Sequence, residues 1–143
     1  MISDTHGLLR PEALKYLRGA DHIIHAGDIG APEVLDELRK LAPVIAVRGN
    51  NDRAGWARRV PLEVDIALGG VRIRVVHDIA DLAGTGFRAV ITGHSHKPKV
   101  EERDGVLYVN PGSAGPRRFT LPVSAGELKI SRGAVRAGIK ELL

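Results

Sequence analysis

The sequence predicts an α/β fold in which two β-sheets pack face to face, with helices outside at least one of them. Three observations support this prediction. The first half of the chain alternates short apolar runs with helical patterns, the second half contains hairpin signals, and short polar segments follow several of the apolar runs. A strand–helix–strand succession builds a parallel sheet with right-handed crossovers, whereas hairpins build antiparallel pairs.

The first half carries the alternating pattern. Ile2 and Ser3 read as the end of a strand, and the next segment predicts a helix from Pro11 to Arg18. Pro11 suits the first turn of that helix, and Gly19 suits its C-terminal cap. The pattern continues with a short buried strand over His22 to Ala26, a helix over Pro32 to Lys40 and a third strand over Val44 to Val47.

The second half is dominated by strands. Gly69-Gly70 and Asp104-Gly105 are strong hairpin signals between apolar or alternating segments. The predicted strands are Leu62 to Leu68, Val71 to His77, Ala89 to Thr92, Lys99 to Arg103 and Val106 to Asn110. The alternating stretch from Ala125 to Ile139 predicts two more antiparallel strands around Arg132-Gly133.

Length and composition favour a single domain over residues 1–143 in a cytoplasmic protein. The chain has 143 residues, 43% of them hydrophobic, which is enough for a substantial core. No apolar run is long enough to cross a membrane, no secretory leader is visible, and the absence of cysteine excludes disulfides and thiolate metal sites. A net charge of +4 favours anionic ligands, but only 3% of residues are aromatic, which argues against nucleic acid except as a phosphodiester substrate.

Seven side chains with metal-binding chemistry fall in five short segments that follow apolar runs. They are Asp4 and His6 in SDTHG, Asp28 in HAGD, Asn50 in GNND, His77 in VVHD, and His94 and His96 in GHSHKP. Parallel strands deliver their C-terminal loops to one rim of a sheet, so these segments can converge there. An oxygen and nitrogen donor set suits Mn, Fe, Co, Ni or Zn. Seven donors are too many for one tetrahedral ion and suit two ions that share a carboxylate.

This ordered set of motifs, followed by NPGS at 110–113, resembles the calcineurin-like metallophosphoesterases and, within them, the small single-domain phosphodiesterase branch. The resemblance implies a four-layer α/β/β/α sandwich with a binuclear metal centre at the C-terminal ends of the strands. Manganese is the expected metal. It assigns Asp4, His6, Asp28 and His96 to one ion, and Asp28, Asn50, His77 and His94 to the other. It also implies attack on phosphorus by a metal-bridging hydroxide, with Asn50 and His94 as catalytic residues.

The chain departs from the pattern of this family in ways that bear on function. Only Met1 and Ile2 precede Ser3, so most of the first strand of the family pattern is missing. Either the start is truncated or mis-assigned, or this protein rebuilds the edge of the sheet differently. A gap there would expose unpaired strand edges. Asn51 stands where many larger relatives carry a histidine that protonates the leaving group, and an amide cannot do so. Asp78 follows His77 in place of glycine, and the connection from His77 to His94 is short, which predicts an open pocket.

Other polar residues near the motifs have secondary assignments. Arg53 and Arg117 are the best candidates for contacts with substrate phosphate, because the guanidinium fork matches phosphate oxygens. Asp52 is either an ordinary turn residue or a group that orients a ligand histidine. His25 is expected behind the metal site and His22 on the surface.

The leading functional hypothesis is a metal-dependent phosphodiesterase that acts on small phosphodiesters and, more weakly, on monoesters. Two further hypotheses stay open: a phosphomonoesterase or nucleotide pyrophosphatase, and a non-catalytic scaffold with the same fold. A small phosphoester is the expected partner, a membrane is not, and the sequence leaves self-association into a homo-oligomer open.

Overall fold

A computed structural model describes all residues from Met1 to Leu143 as two α-helices and nine β-strands. The helices are α1 (Pro11–Leu17) and α2 (Pro32–Arg39). The strands are β1 (Ile23–His25), β2 (Val44–Ala46), β3 (Glu63–Leu68), β4 (Val71–Val76), β5 (Ala89–Ile91), β6 (Lys99–Arg103), β7 (Val106–Asn110), β8 (Ser124–Ser131) and β9 (Ala134–Glu141). Two short 3-10 turns lie at Gly55–Arg59 and Ile79–Asp81. Each of these helices and strands lies within two residues of its predicted bounds.

The first sheet is built around the amino end of the chain. β1 and β2 pair in parallel, and the other edge of β1 binds Ile2, whose N–H donates to the Ile24 carbonyl at 2.8 Å. On the far side of this short segment, the Met1 amine donates to the Gly126 carbonyl at 2.7 Å, and the Gly126 N–H donates to the Met1 carbonyl. β8 then pairs with β9. Met1 and Ile2 therefore join two strand pairs into one sheet.

The second sheet has the strand order β3-β4-β5-β7-β6. Its central strands β4, β5 and β7 are parallel, and the antiparallel strands β3 and β6 form its edges. The glycine turns predicted at Gly69-Gly70 and Asp104-Gly105 connect the edge strands to the centre. The parallel centre brings the C-terminal ends of β4 and β5 to the same rim.

The two sheets pack face to face over an apolar core. The buried side chains between the sheets come from both of them and include Ile24 and Val47 from the first and Ile73, Ile91 and Val109 from the second. A second core lies under the helices and joins α1 and α2 to the outer face of the first sheet. The α/β class and the paired sheets are thus as predicted. Neither α-helix has the length and apolar character that a membrane span requires.

The outer face of the second sheet is covered by an irregular segment. Between β4 and β5 the chain forms only a 3-10 turn and a loop, because this connection is short. Phe87 of the loop packs under the guanidinium groups of Arg72 and Arg74, and Arg74 also donates to the Ala83 carbonyl. This segment takes the position of the outer helical layer expected from the four-layer sandwich.

A groove of about 590 Å³ lies between β1 and β8. It is lined by Met1, the end of α1, the loop that follows it, the β3–β4 turn and the segment from Gly126 to Ile130. Because β9 bonds to alternate residues of β8, the main chain of Leu128 and Ile130 faces this groove. The groove lies where further residues of a first strand would pair. The segment after it keeps its place, because the Asp4 N–H donates to the Gly27 carbonyl and the Ala114 N–H donates to the Ser3 carbonyl.

Candidate metal centre

The five predicted segments meet at one rim of the two sheets. Asp4 and His6 follow the Met1–Ile2 segment, Asp28 follows β1, Asn50 follows β2, His77 follows β4, and His94 and His96 follow β5. Contacts between donor atoms of 3.1 to 4.0 Å connect all seven side chains into one cluster. The convergence predicted from the sequence is therefore observed for the full set.

The first group of donors contains Asp4, His6 and His96. The Asp4 Oδ1 atom lies 4.0 Å from His6 Nε2 and 3.4 Å from His96 Nε2. Metal–ligand bonds of ~2.1 Å place the donors of one ion roughly 3–4 Å apart, which agrees with these separations. The Asp4 Oδ2 atom instead accepts hydrogen bonds from the Ser3 hydroxyl and from the His94 N–H.

Three buried atoms of this group have no hydrogen-bond partner. They are Asp4 Oδ1, His6 Nε2 and His96 Nδ1. Buried polar atoms are normally paired, and leaving one unpaired costs ~1–3 kcal/mol. A cation between Asp4, His6 and His96 would satisfy the first two of these atoms, so the structure itself fits a metal ion at this position.

The second group contains Asp28, Asn50, His77 and His94. The Asn50 Oδ1 atom lies 3.1 Å from both His77 Nε2 and His94 Nδ1, and His77 Nε2 lies 3.4 Å from Asp28 Oδ2. The other ring nitrogen of His77, Nδ1, donates to the Ala26 carbonyl at 2.7 Å. This bond fixes the tautomer that leaves His77 Nε2 free to bind a metal ion.

Asp28 lies between the two groups. Its Oδ2 atom is 3.7 Å from His6 Nε2 and 3.4 Å from His77 Nε2, as expected for a carboxylate shared by two ions. The Asn51 N–H and side-chain amide donate to the two carboxylate oxygens, each at 2.9 Å. Burial opposes ionisation of Asp28, but the neighbouring His77 and the hydrogen bonds from Asn51 outweigh it and hold its pKa well below the usual range. Asn51 thus orients the Asp28 carboxylate, a role that the sequence did not reveal.

The chain turns sharply at most of these donors. Five of the seven have left-handed backbone conformations, with φ between +47° and +69°: Asp4, His6, Asp28, His94 and His96. Such conformations are uncommon outside glycine and are costly, although Asp and His tolerate them better than most residues. Backbone strain of this kind concentrates at functional sites, where the surrounding structure enforces it. The sharp turns direct consecutive side chains from several strand ends toward one point.

Asp52 supports the centre through the main chain. Its buried carboxylate accepts hydrogen bonds from the N–H groups of Ile29, Gly30 and Gly49 at 2.9 to 3.0 Å. The possibility that Asp52 orients a ligand histidine is wrong, because its carboxylate binds these N–H groups instead. Its function is to join the loop after β2 to the loop after β1, which carries Asp28.

His25 lies behind the centre, as predicted, and His22 is exposed. The Gly27 N–H donates to His25 Nδ1, so the proton is on Nε2, which donates to the Thr5 hydroxyl at 2.9 Å. Thr5 in turn donates to the Ile29 carbonyl. Complete burial lowers the pKa of His25 to about 4 despite the nearby carboxylates of Asp4 and Asp52. Neutral His25 therefore fixes the turn between Asp4 and His6.

His94 has a carboxylate on the side opposite Asn50. The Asp78 Oδ2 atom lies 3.5 Å from His94 Nε2, and the other Asp78 oxygen accepts a hydrogen bond from the Ala80 N–H. A carboxylate in this position orients an imidazole ligand and increases its basicity. The sequence marked Asp78 only as a departure from the family pattern, so this contact is an addition from the structure.

The two predicted substrate arginines lie near the centre and remain predictions. The Arg53 Nε–H donates to the Asn50 carbonyl at 3.2 Å, and its side chain is exposed. Arg117 lines a cavity of about 360 Å³ together with His6, His96, Pro116, Arg118 and Phe119.

The close approach of Gly49 to Asp28 generates a prediction about metal affinity. A Cβ atom at Gly49 would lie 2.1 Å from Asp28 Oδ1 and 2.2 Å from the Asp28 nitrogen. We expect Gly49→Ala to displace the shared carboxylate and to weaken Mn²⁺ binding at least tenfold, or by ~1.4 kcal/mol, measured by calorimetry on chelator-treated protein. Gly55→Ala is the matched control, because a Cβ atom there meets nothing within 4 Å. Unchanged affinity in Gly49→Ala would contradict the placement of Asp28.

The pKa of His25 generates a prediction about stability. Between pH 6.5 and about 4, His25 binds a proton in the unfolded chain but stays neutral when it is buried in the folded protein. The free energy of unfolding therefore falls as the pH falls through this window, by about 2–3 kcal/mol from this group. We expect the difference in unfolding free energy between wild type and His25→Gln, measured by urea denaturation without metal, to shrink by about this amount from pH 7 to pH 4. The variant of exposed His22, His22→Gln, should show no such change, and a constant difference for His25→Gln would refute the burial argument.

Comparisons with known proteins agree with this geometry. The family described as the calcineurin-like phosphoesterase superfamily domain matches residues 1–133. The chain is 38% identical over 134 residues to a probable metallophosphoesterase of Methanocaldococcus jannaschii, which covers 85% of this chain and 70% of that protein. An archaeal phosphodiesterase superposes with a TM-score of 0.76 at 25% identity over 97% of each chain.

The fold also occurs in Vps29 of Chaetomium thermophilum, with a TM-score of 0.78 at 19% identity over 98% of this chain and 94% of that chain. At this level of identity the similarity shows the fold alone. The family match covers the whole rim on which the donor residues converge. This chain belongs to the calcineurin-like phosphoesterase superfamily.

Proposed function

We propose that this protein is a metal-dependent phosphodiesterase that hydrolyses small phosphodiesters. Its family and its donor residues support a metal-dependent phosphoesterase in the broader sense. The observation that carries the proposal is the position of the Asp28 carboxylate, whose Oδ2 atom lies within 3.7 Å of a histidine from each donor group. A carboxylate shared in this way suits a pair of cations and the phosphoryl transfer chemistry that such pairs support.

The chain's residues supply position and charge. Asp4, His6 and His96 would hold one divalent ion, Asn50, His77 and His94 would hold the other, and Asp28 would contact both. When bound, the two ions would lower the pKa of the attacking water and neutralise the phosphoryl oxygens. Hydrolysis forms one phosphorus–oxygen bond to water and breaks the ester bond to the leaving alcohol. No nucleophilic side chain is required, because water is the attacking group. The Ser3 hydroxyl near the centre is buried and donates to Asp4, and the chain has no cysteine.

The leaving group receives little help from Asn51. Both Asn51 donors are committed to the Asp28 carboxylate, and an amide does not release a proton at neutral pH. The reaction should therefore favour esters whose alcohol leaves easily as an anion. This expectation supports a preference for activated esters. The similarity to an archaeal phosphodiesterase supports a diesterase.

A non-catalytic scaffold is the competing proposal, because the fold is shared with Vps29. The full set of seven donors, with unpaired buried atoms on Asp4 and His6, supports catalysis instead. A phosphomonoesterase or a nucleotide pyrophosphatase would cleave a different bond in the substrate, and analysis of the products separates these two activities from that of a diesterase.

The direct test is hydrolysis of bis(p-nitrophenyl) phosphate by the purified chain, first in chelator and then with added Mn²⁺. We expect turnover that requires metal and exceeds turnover of p-nitrophenyl phosphate. Asp28→Asn and His94→Ala should lower kcat by about a thousandfold or more while leaving the fold intact by circular dichroism, because each removes a metal ligand. Exposed His22→Gln is the control. Undiminished turnover in both ligand variants would refute the site, and no turnover with any divalent metal would favour the scaffold.

A further inference from the structure

An exposed aromatic ring lies in the loop beside the metal centre. Phe119 is 87% exposed, more than any other large apolar side chain in the protein, and its φ is +52°. A bulky residue rarely adopts a left-handed conformation, and such outliers often mark ligand contacts. Single exposed apolar residues such as Leu62 are ordinary on protein surfaces. Phe119 differs from them because the backbone is strained at the position that presents its ring to solvent.

The loop that carries Phe119 is held by hydrogen bonds. The Leu121 N–H donates to the Arg118 carbonyl, and the Arg117 guanidinium donates to the Leu121 carbonyl at 3.3 Å. At the start of the loop, the Ser113 hydroxyl donates to the Asp4 carbonyl. The loop is thereby connected to the segment that contains the first donor group, so the position of the ring is tied to that of the metal centre.

Phe119 and the metal centre share one cavity. The cavity of about 360 Å³ is lined by His6, His96, Pro116, Arg117, Arg118 and Phe119. Its volume lies within the range of small-molecule sites. Its walls include two arginines and no acidic residue. A ligand that reaches the centre through this cavity therefore meets positive charge and an aromatic face together.

We propose that this cavity binds a mononucleoside phosphodiester, with the nucleobase stacked on Phe119 and the phosphate facing Arg117 and Arg118. Every nucleobase has a planar face that stacks on an aromatic side chain, and arginine matches phosphate oxygens. One exposed ring suits one base, whereas strand-binding proteins present several. This inference names the substrate class of the proposed phosphodiesterase and rests on that function only for the turnover measurement below.

Binding tests the proposal independently of catalysis. Calorimetry of the Mn²⁺-loaded protein would compare thymidine 5′-monophosphate with methyl phosphate, which has the same phosphate and no base. We expect Phe119→Ala to weaken thymidine monophosphate binding about tenfold and methyl phosphate binding less than twofold. Phe119→Tyr should retain affinity because it keeps the ring, and Phe119→Leu should lose it. Val100→Ala, which removes an exposed apolar side chain on β6, is the control for general surface effects.

Turnover provides the second arm. Thymidine 5′-(p-nitrophenyl phosphate) and methyl p-nitrophenyl phosphate share a leaving group and differ only in the nucleoside. We expect Phe119→Ala to lower kcat/KM about tenfold for the thymidine ester alone. An equal loss for both esters would assign the ring to the aryl leaving group and overturn the nucleobase assignment, as would equal affinities of wild type and Phe119→Ala for thymidine monophosphate. Absence of turnover for both esters would refute the proposed phosphodiesterase function, and the binding measurement would still decide on the nucleobase.

Discussion

The metal centre depends on sharp backbone turns at the ends of the strands. A strand that continued straight would carry alternate side chains to opposite faces of the sheet. The left-handed conformations at Asp4, Asp28 and His94 turn the chain away from the strand direction and bring donors from separate strands together. The face-to-face core and the main-chain bonds from Asp52 hold these turns in place. Local strain at the rim is thus offset by packing beneath it.

Charge is the second constraint on this rim. Asp4 and Asp28 are buried, and ring nitrogens of His6, His77 and His96 lie 3.4 to 4.0 Å from their carboxylate oxygens. Buried carboxylates lose hydration, and only part of that loss is recovered through the hydrogen bonds from Ser3 and Asn51. Divalent cations would supply the remaining stabilisation. Because they would bind the folded arrangement and not the dispersed ligands of the unfolded chain, metal binding and folding stability are coupled.

The sequence predicted the features that leave a local pattern, such as the hairpins at Gly69-Gly70 and Asp104-Gly105 and the ordered donor segments. Apart from placing His25 behind the site, it did not predict the support around the donors. Asp52 and Asn51 look like ordinary turn residues. Asp52, however, accepts a hydrogen bond from the N–H of Ile29, which is distant in sequence, and Asn51 orients Asp28. Phe119 likewise has no motif around it. These roles depend on distances between loops that are remote in sequence, and residue type alone does not encode such distances.

The groove beside Met1 constrains any sequence that is joined to the Met1 nitrogen. The Met1 nitrogen is buried, donates to the Gly126 carbonyl and has its pKa lowered to about 5 by burial. Residues joined to it would begin their path between β1 and β8. An apolar, β-prone linker would extend the sheet there, whereas a charged or proline-rich affinity tag would push the two strands apart and pull on the segment that leads to Asp4. Leu143 is exposed, so residues joined to it would instead lead away from the sheet and from the metal centre.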